Sequence, residues 1–240
     1  MKLSVLVRKW HKWLALVVGV QLLLWTFSGL FMSAVPIEII KSEHLLKKKP
    51  QQVLSGDIDY FSVDKVISKL EADNSVIEIE LKNILDSPTY VVHFSDNSRQ
   101  LVDALSGDVI SPLNKKMALK VATKQFSGDP SKVSAELISE KVSEYRGKYP
   151  VWQIAFNNME QTTFYVSPST GQLTAKRGIL WRIYDFLWML HIMDYRNRTD
   201  FNNWLLILAA LLGFAVSVSG VILIKYSFRK RDFKFLKGRK

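Results

Sequence analysis

Four histidines and no cysteine set the limits of what this 240-residue chain can do chemically. Without thiols it has no disulfide, no thiolate nucleophile, no iron–sulfur cluster and no Cys-rich zinc site. Metal or redox work therefore falls to imidazoles. His11 stands among Arg8, Lys9 and Lys12, and His44 lies between Glu43 and Leu45. His93 sits in the run Tyr90-Val-Val-His-Phe94, and His191 in a segment from Gly178 to Tyr195 that has helical periodicity. On a helical wheel of that segment Arg182, Asp185 and Arg196 share one stripe. His191 falls on the opposite side with Leu180, Tyr184 and Leu187. An imidazole there is either a satisfied core histidine or a ligand. His11 reads as a polar anchor at a helix end or as a ligand, and His44 as a solvated loop residue or as a ligand.

These residues need a frame, and the charge distribution supplies it. The formal charge is +11. Residues 1–12 carry Lys2, Arg8, Lys9 and Lys12, and residues 225–240 carry eight Lys/Arg against Asp232, so the chain between nets zero. A basic excess confined to two tails is a membrane-topology signal, not a nucleic-acid surface. Residues 13–35 hold no charge over 23 positions, and residues 204–224 none over 21. About 20 are needed to cross hydrocarbon. Trp10 and Trp13 mark one end of the first run, and Trp204 and Tyr226 bracket the second, as interfacial aromatics do. The expected topology has both tails in the cytoplasm and residues 36–203 outside. A cleaved signal peptide fits less well, because the apolar run is too long and Met32-Ser33-Ala34 is a poor cleavage site.

Each span also has a small-residue face: His11, Ala15, Gly19, Thr26, Gly29 and Ser33 on the first, and Ala209, Gly213, Ser217 and Gly220 on the second. Such faces let helices approach closely, within one chain or between two copies. Small residues beside a helical histidine also leave room for a flat macrocycle such as haem.

Between the spans a pattern occurs twice. Val63, Val66, Ile67 and Leu70 have helical spacing after Ser62. Residues 76–81 alternate as a strand, as do 90–94, and Ser95-Asp-Asn-Ser98 turns the chain back into Gln100–Asp103. Met117, Val121, Ala122 and Phe126 then mark a second helix, 133–142 reads as strand or helix, and Pro150–Phe156 with Thr162–Val166 forms a hairpin. Pro88–Phe94 followed by Leu105-Ser-Gly107 aligns with Pro150–Phe156 followed by Ser169-Thr-Gly171. That alignment puts Ala155 opposite His93, so His93 receives no functional weight.

Pro150-x-Trp-x-x-x-Phe156 running into Tyr165-Val-x-x-x-Thr-Gly171 resembles PepSY domains. The flanks resemble the PepSY-associated transmembrane family: Arg8-x-x-His11, Trp25-Thr-x-Ser-Gly-Leu-Phe-Met-Ser33, Pro36-Ile-Glu, Glu43-His44-Leu45 and Leu187-Trp-Met-Leu-His191-Ile-Met-Asp-Tyr195. The expected fold is thus an α+β membrane protein, two transmembrane helices flanking a periplasmic domain of two PepSY-like helix-plus-antiparallel-sheet repeats. Its divisions are a basic tail (1–12), a span (13–35), a connector (36–58), repeats at 59–113 and 114–177, an amphipathic interfacial helix (178–196), a span (204–224) and a basic tail (225–240).

The resemblance implies an inner-membrane redox component that moves electrons through haem b for iron reduction or uptake, with His11, His44 and His191 as candidate iron ligands. Larger relatives have four spans, so a homodimer of this two-span chain would rebuild their bundle. His11 lies about 30 Å, a membrane thickness, from the other two and cannot share a haem with them. Either His44 and His191 pair within one chain, or a second copy supplies each mate. Asp194 or Tyr195 would then steady the second ring nitrogen of His191. The alternative is a non-enzymatic anchor whose domain binds or restrains a periplasmic partner such as a peptidase; a transport accessory is a third reading. No Gly-x-Gly-x-x-Gly, P-loop or His-Glu-x-x-His occurs, so nucleotide binding and zinc peptidase chemistry have no motif here. Ser169-Thr-Gly-Gln-Leu lacks the core of a covalent-flavin motif.

Overall fold

The computed structural model describes residues 3–47, 57–70 and 75–227. In chain order the helices are α1 (Leu3–Ala34), α2 (Ile37–Ile40), α3 (Val63–Leu70), α4 (Lys115–Gln125), α5 (Ile179–Ile192) and α6 (Trp204–Ser227). The strands are β1 (Val76–Ile84), β2 (Ser87–Phe94), β3 (Arg99–Asp103), β4 (Val133–Ile138), β5 (Val151–Phe156), β6 (Thr163–Val166) and β7 (Leu173–Arg177). The expected tail beyond Ser227 and the connector at 48–56 lie outside the described residues. The chain forms two compact units, one of α1 with the chain from Ile183 onward, the other Ile37–Arg182.

In the first unit α1 and α6 pack together, and both are long and apolar enough to cross a membrane. At 32 residues α1 is about 48 Å long, more than the hydrocarbon core requires. Leu16, Val17, Val20, Leu23 and Leu30 are exposed on it, as are Leu211, Phe214 and Val221 on α6. Bare apolar side chains of this size are what lipid, not water, accommodates. Gly213 lets α6 close on Leu22 and Trp25 of α1. The expected small-residue packing is only partly used, because a Cβ built on Gly19 meets nothing within 4 Å.

The α5 helix ends sooner than the expected 178–196, and its charged residues are paired. Its Ile179, Ile183 and Phe186 are exposed, while Asp185 is buried and paired with Arg198. Arg196 is not on the helix at all. Met193 adopts a left-handed φ of 54° and ends it, and the Asp194 carboxylate then accepts backbone N–H groups of Arg196, Asn197, Thr199 and Asp200. Those bonds hold the Asp194 carboxyl well below the usual carboxylate range. The charged stripe read from the sequence is therefore turned inward or taken up in the loop, as befits a helix whose outer face meets apolar surroundings. Asn203 closes the connection: its Oδ1 caps α6 through the Leu206 N–H, and its Nδ2 donates to the Ile192 carbonyl.

The second unit contains two antiparallel sheets, β1-β2-β3 and β4-β5-β6-β7. Residues 133–138 are a strand, which settles the ambiguous stretch. The two turns that aligned in sequence match in backbone, with Gly107 at φ 72° and Gly171 at φ 62°. The chain beyond each turn differs: a full strand, β7, follows Gly171, whereas Val109 makes only a single bridge to Val102. Strand alternation gives the first sheet two apolar faces. Tyr90, Val92, Phe94 and Val102 cluster with Val66 of α3, while Val91 and Leu101 join Ala118, Val121 and Phe126 of the α4 region and Ile154, Phe164 and Val166 of the second sheet. The repeats thus share one core. On the other face of the second sheet Tyr145 stacks on Tyr165 with ring centroids 4.8 Å apart.

The exit from α1 packs into the domain at its first residues. Ile40, Ser42 and Leu45 are buried, Leu45 in the shared core, and Leu46 bridges Phe126. An apolar Leu45-Leu46 pair has more to gain in that core than in water.

Candidate functional site

Two of the candidate histidines lie in the span unit, each held by a serine of the other element. His191, in the last turn of α5, places Nδ1 2.8 Å from the Ser28 Oγ of α1. His11, on α1, places Nδ1 2.8 Å from the Ser219 Oγ of α6. Each hydroxyl has a second short contact along its own helix, Ser28 to the Leu24 carbonyl at 2.7 Å and Ser219 to the Val216 carbonyl at 2.8 Å. A hydroxyl has one proton, and two oxygens this close need it between them. Oγ therefore donates to the carbonyl and accepts from Nδ1–H, which assigns that tautomer. In the neutral ring that tautomer leaves Nε2 as the acceptor. No described residue bonds the Nε2 of either ring.

The elements explain the placement. Ser28 is fully buried, and it lies seven residues, about 10 Å, inside the uncharged run that ends at Val35. The last turn of α5 fits there because α1 supplies donors for its unpaired carbonyls: Trp25 Nε1 donates to His191 O at 2.8 Å and Gln21 Nε2 to Leu190 O at 3.4 Å. The helix end is thus seated against α1, not laid on a polar surface. Trp188 stacks near-parallel to the His191 ring at 6.5 Å, and Gly29 leaves the His191 Cε1 3.9 Å from where a Cβ would be. At the other end the same role falls to Gly220, 3.4 Å from the His11 Cε1. Beside Ser219 an apolar groove of ≈ 390 Å³ opens between Leu6, Trp10, Phe214, Val218 and Ile222.

The structure does not bring His11 and His191 together. Their serine anchors show why: Ser28 is 17 residues along α1 from His11, about 26 Å. His44 belongs to the other unit, where its half-exposed ring puts Nε2 3.1 Å from Glu160 Oε2. Asp194, expected beside His191, is committed to backbone N–H groups, and Ser28 takes that role.

Sequence reasoning missed Ser28, Ser219 and Glu160. The signal for the first two was present, since Ser28-Gly29 and Ser219-Gly220 repeat the same dipeptide near opposite ends of the spans. His93 was set aside, and the register shows what surrounds it: Glu78 is its cross-strand partner, and Glu80 Oε1 lies 3.5 Å from Nε2. Lys82 pairs with Glu80 and lowers its pKa, so this sheet face is a run of mixed charges.

The spans, the inward-turned polar groups and the α+β domain between them define a two-span membrane protein. The chain belongs to the PepSY-associated transmembrane family, whose model, the PepSY-associated TM region, matches residues 8–240. No curated protein and no solved structure matches it.

Proposed function

We propose that this protein is an inner-membrane redox component that binds b-type haem through His11 and His191 and passes electrons across the bilayer, serving reduction or uptake of iron. One observation carries the reading: two imidazoles within the span unit, near opposite ends, each have Nδ1 fixed, and no described residue bonds their Nε2. Ionisable groups in spans mark functional sites by default. Haem, when bound, supplies a one-electron carrier that cycles between ferric and ferrous iron. The chain's contribution is to present Nε2, to keep apolar walls around it, and to leave space through Gly29, Gly220 and the groove by Ser219. His44, engaged by Glu160, is a weaker candidate ligand than the other two. One chain then offers one imidazole per site, and a homodimer would bring the second. Both basic ends belong in the cytoplasm on this reading, with the domain between the spans in the periplasm.

The test is a dithionite-reduced minus oxidised spectrum of the full chain, purified in mild detergent with haem supplied. A Soret and α-band pair that weakens in His11→Ala and His191→Ala but persists in His44→Ala is the expected result. Folded protein without those bands sinks the haem reading. A second reading, an anchor that binds an extended segment of a periplasmic partner, has its own support. The β4 strand lies at the end of its sheet, beside a groove of ≈ 560 Å³ of mixed lining that includes Lys132, Phe156, Asn157 and Thr162.

A further inference from the structure

We infer that the chain builds one imidazole site twice, and that Ser28 and Ser219 are its positioning residues, fixing His191 and His11 in the Nδ1–H tautomer so that Nε2 is available as a metal ligand. The metal-binding half of this inference rests on the haem reading above; the tautomer half does not.

The two sites correspond part by part. Each has a histidine from one element and a Ser-Gly pair from a span: His191 on Ser28-Gly29, His11 on Ser219-Gly220. Each Nδ1···Oγ distance is 2.8 Å, and each serine returns its proton to its own helix, at 2.7 and 2.8 Å. Each following glycine lies against the histidine Cε1, the ring carbon between the two nitrogens. A Cβ there would meet the ring at ordinary contact distance, so each glycine leaves a margin of space beside the imidazole. The partners are 163 and 208 residues apart in sequence, so no local turn imposes the likeness.

A histidine–serine bond could serve only to hold two helices together. That role needs a bond but no particular tautomer, and a serine that gave its proton to the ring would serve as well. Here the hydroxyl proton is taken by the helix carbonyl, so the ring must be the donor. Metal-bound histidines have this same arrangement, with the second nitrogen donating to a fixed acceptor that orients the ring and raises its basicity. Loss of the acceptor lowers basicity, which weakens the ferric state more than the ferrous. The midpoint potential then rises.

The experiment has two arms on the full-length chain in detergent. In the first, ¹⁵N-histidine-labelled protein without haem is examined by NMR, with His11→Gln and His191→Gln to assign the rings. Both rings should show a protonated Nδ1 and an unprotonated Nε2. Ser28→Ala should alter only His191, and Ser219→Ala only His11, with Ser219→Thr restoring the original signature. Rings in the Nε2–H form, or signatures unmoved by the serine changes, overturn the inference. In the second arm haem is titrated into each variant and its potential measured. Ser→Ala should weaken binding about tenfold or more at that site and raise its potential. Haem bound with unchanged affinity and potential in both alanine variants overturns the metal-positioning half. If wild-type protein takes up no haem while the tautomers are as stated, the haem reading fails and the tautomer assignment stands.

Discussion

Asp185 of α5 and Arg198 of the following loop form an ion pair in which the acid is buried and the base only partly covered. The pair lies beneath a helix whose exposed residues, Ile179, Ile183 and Phe186, are apolar. A charge inside and hydrocarbon outside is the polarity of a membrane-embedded element, and the pair makes the internal charge tolerable. Removing Arg198 takes from the buried carboxylate its ion-pair partner. Arg198→Ala should destabilise the span unit by about 3 kcal/mol, the low end for breaking a buried pair, because the arginine keeps some solvent contact. The double change Asp185→Asn with Arg198→Gln should recover more than half of that loss. Unfolding in SDS–detergent mixtures reads both, and equal losses in single and double variants would show that the pair is not the cause.

The span glycines separate packing within a chain from packing between chains. A Cβ on Gly213 sits 3.5 Å from Leu22 Cδ2, an ordinary contact, but the branches of a valine have no room beyond it. Gly213→Val should destabilise the folded chain by about 1–3 kcal/mol, as overpacking does. Gly19 faces open space, so Gly19→Val should leave the stability of a single chain unchanged. A homodimer that closes on the Gly19 face would be weakened by the same change. Sedimentation in detergent measures association alongside stability. A dimer indifferent to Gly19→Val places its contact elsewhere.

The spans, the two hairpins and the paired Gly107 and Gly171 turns were legible because each rests on local pattern: an uncharged run, strand alternation, a turn at fixed spacing. The partners of the α5 side chains were not. A helical wheel separates polar from apolar residues but does not say what each polar residue meets: Arg182 takes Glu144 and Asp185 takes Arg198. The Asp194 loop was misread for a related reason, since a carboxylate near a histidine in sequence was already occupied by the N–H groups that follow it. His11–Ser219 and His191–Ser28 depend on which span faces cross, a tertiary fact that periodicity does not contain. The repeats were read as two parts of one domain, and β2 shows how they share a core: both of its faces are buried, Val91 on one side and Val92 on the other.

The equivalent turns of the two repeats should differ in their tolerance of a side chain. Both Gly107 and Gly171 have positive φ, which costs an L residue about 1–2 kcal/mol. At Gly107 a Cβ would also fall 2.5 Å from the Phe61 ring, whereas at Gly171 the nearest atom, Ile84 Cγ2, is 3.2 Å away. Gly107→Ala should therefore cost about 3 kcal/mol and Gly171→Ala about 1–2, the added part coming from overpacking. Thermal unfolding of the full chain measures the order. The reverse order would mean that Phe61 moves aside freely.

The loop after α5 should be acid-sensitive through one residue. Asp194 accepts four backbone N–H groups, two on each carboxylate oxygen, and its pKa is depressed, chiefly by those from Thr199 and Asp200. A depressed folded-state pKa means that the unfolded loop binds a proton first as pH falls. The stabilisation is complete well above the unfolded value, about 3.9, and is lost as pH drops through that value toward the folded one. Asp194→Asn keeps the Oδ1 acceptor for Arg196 and Asn197 but replaces Oδ2, the acceptor for Thr199 and Asp200, with a donor. It should destabilise the loop at pH 7 by about 1–2 kcal/mol after solvent screening. It should also remove the acid step. Hydrogen exchange at residues 196–200 is the local measure, because Asp108 and Glu80 in the other unit also have lowered pKa values and would blur a global one. Wild-type protection should fall between pH 5 and pH 3, and the variant should already be poorly protected at pH 5. Identical acid profiles for the two would show that Asp194 does not hold the loop.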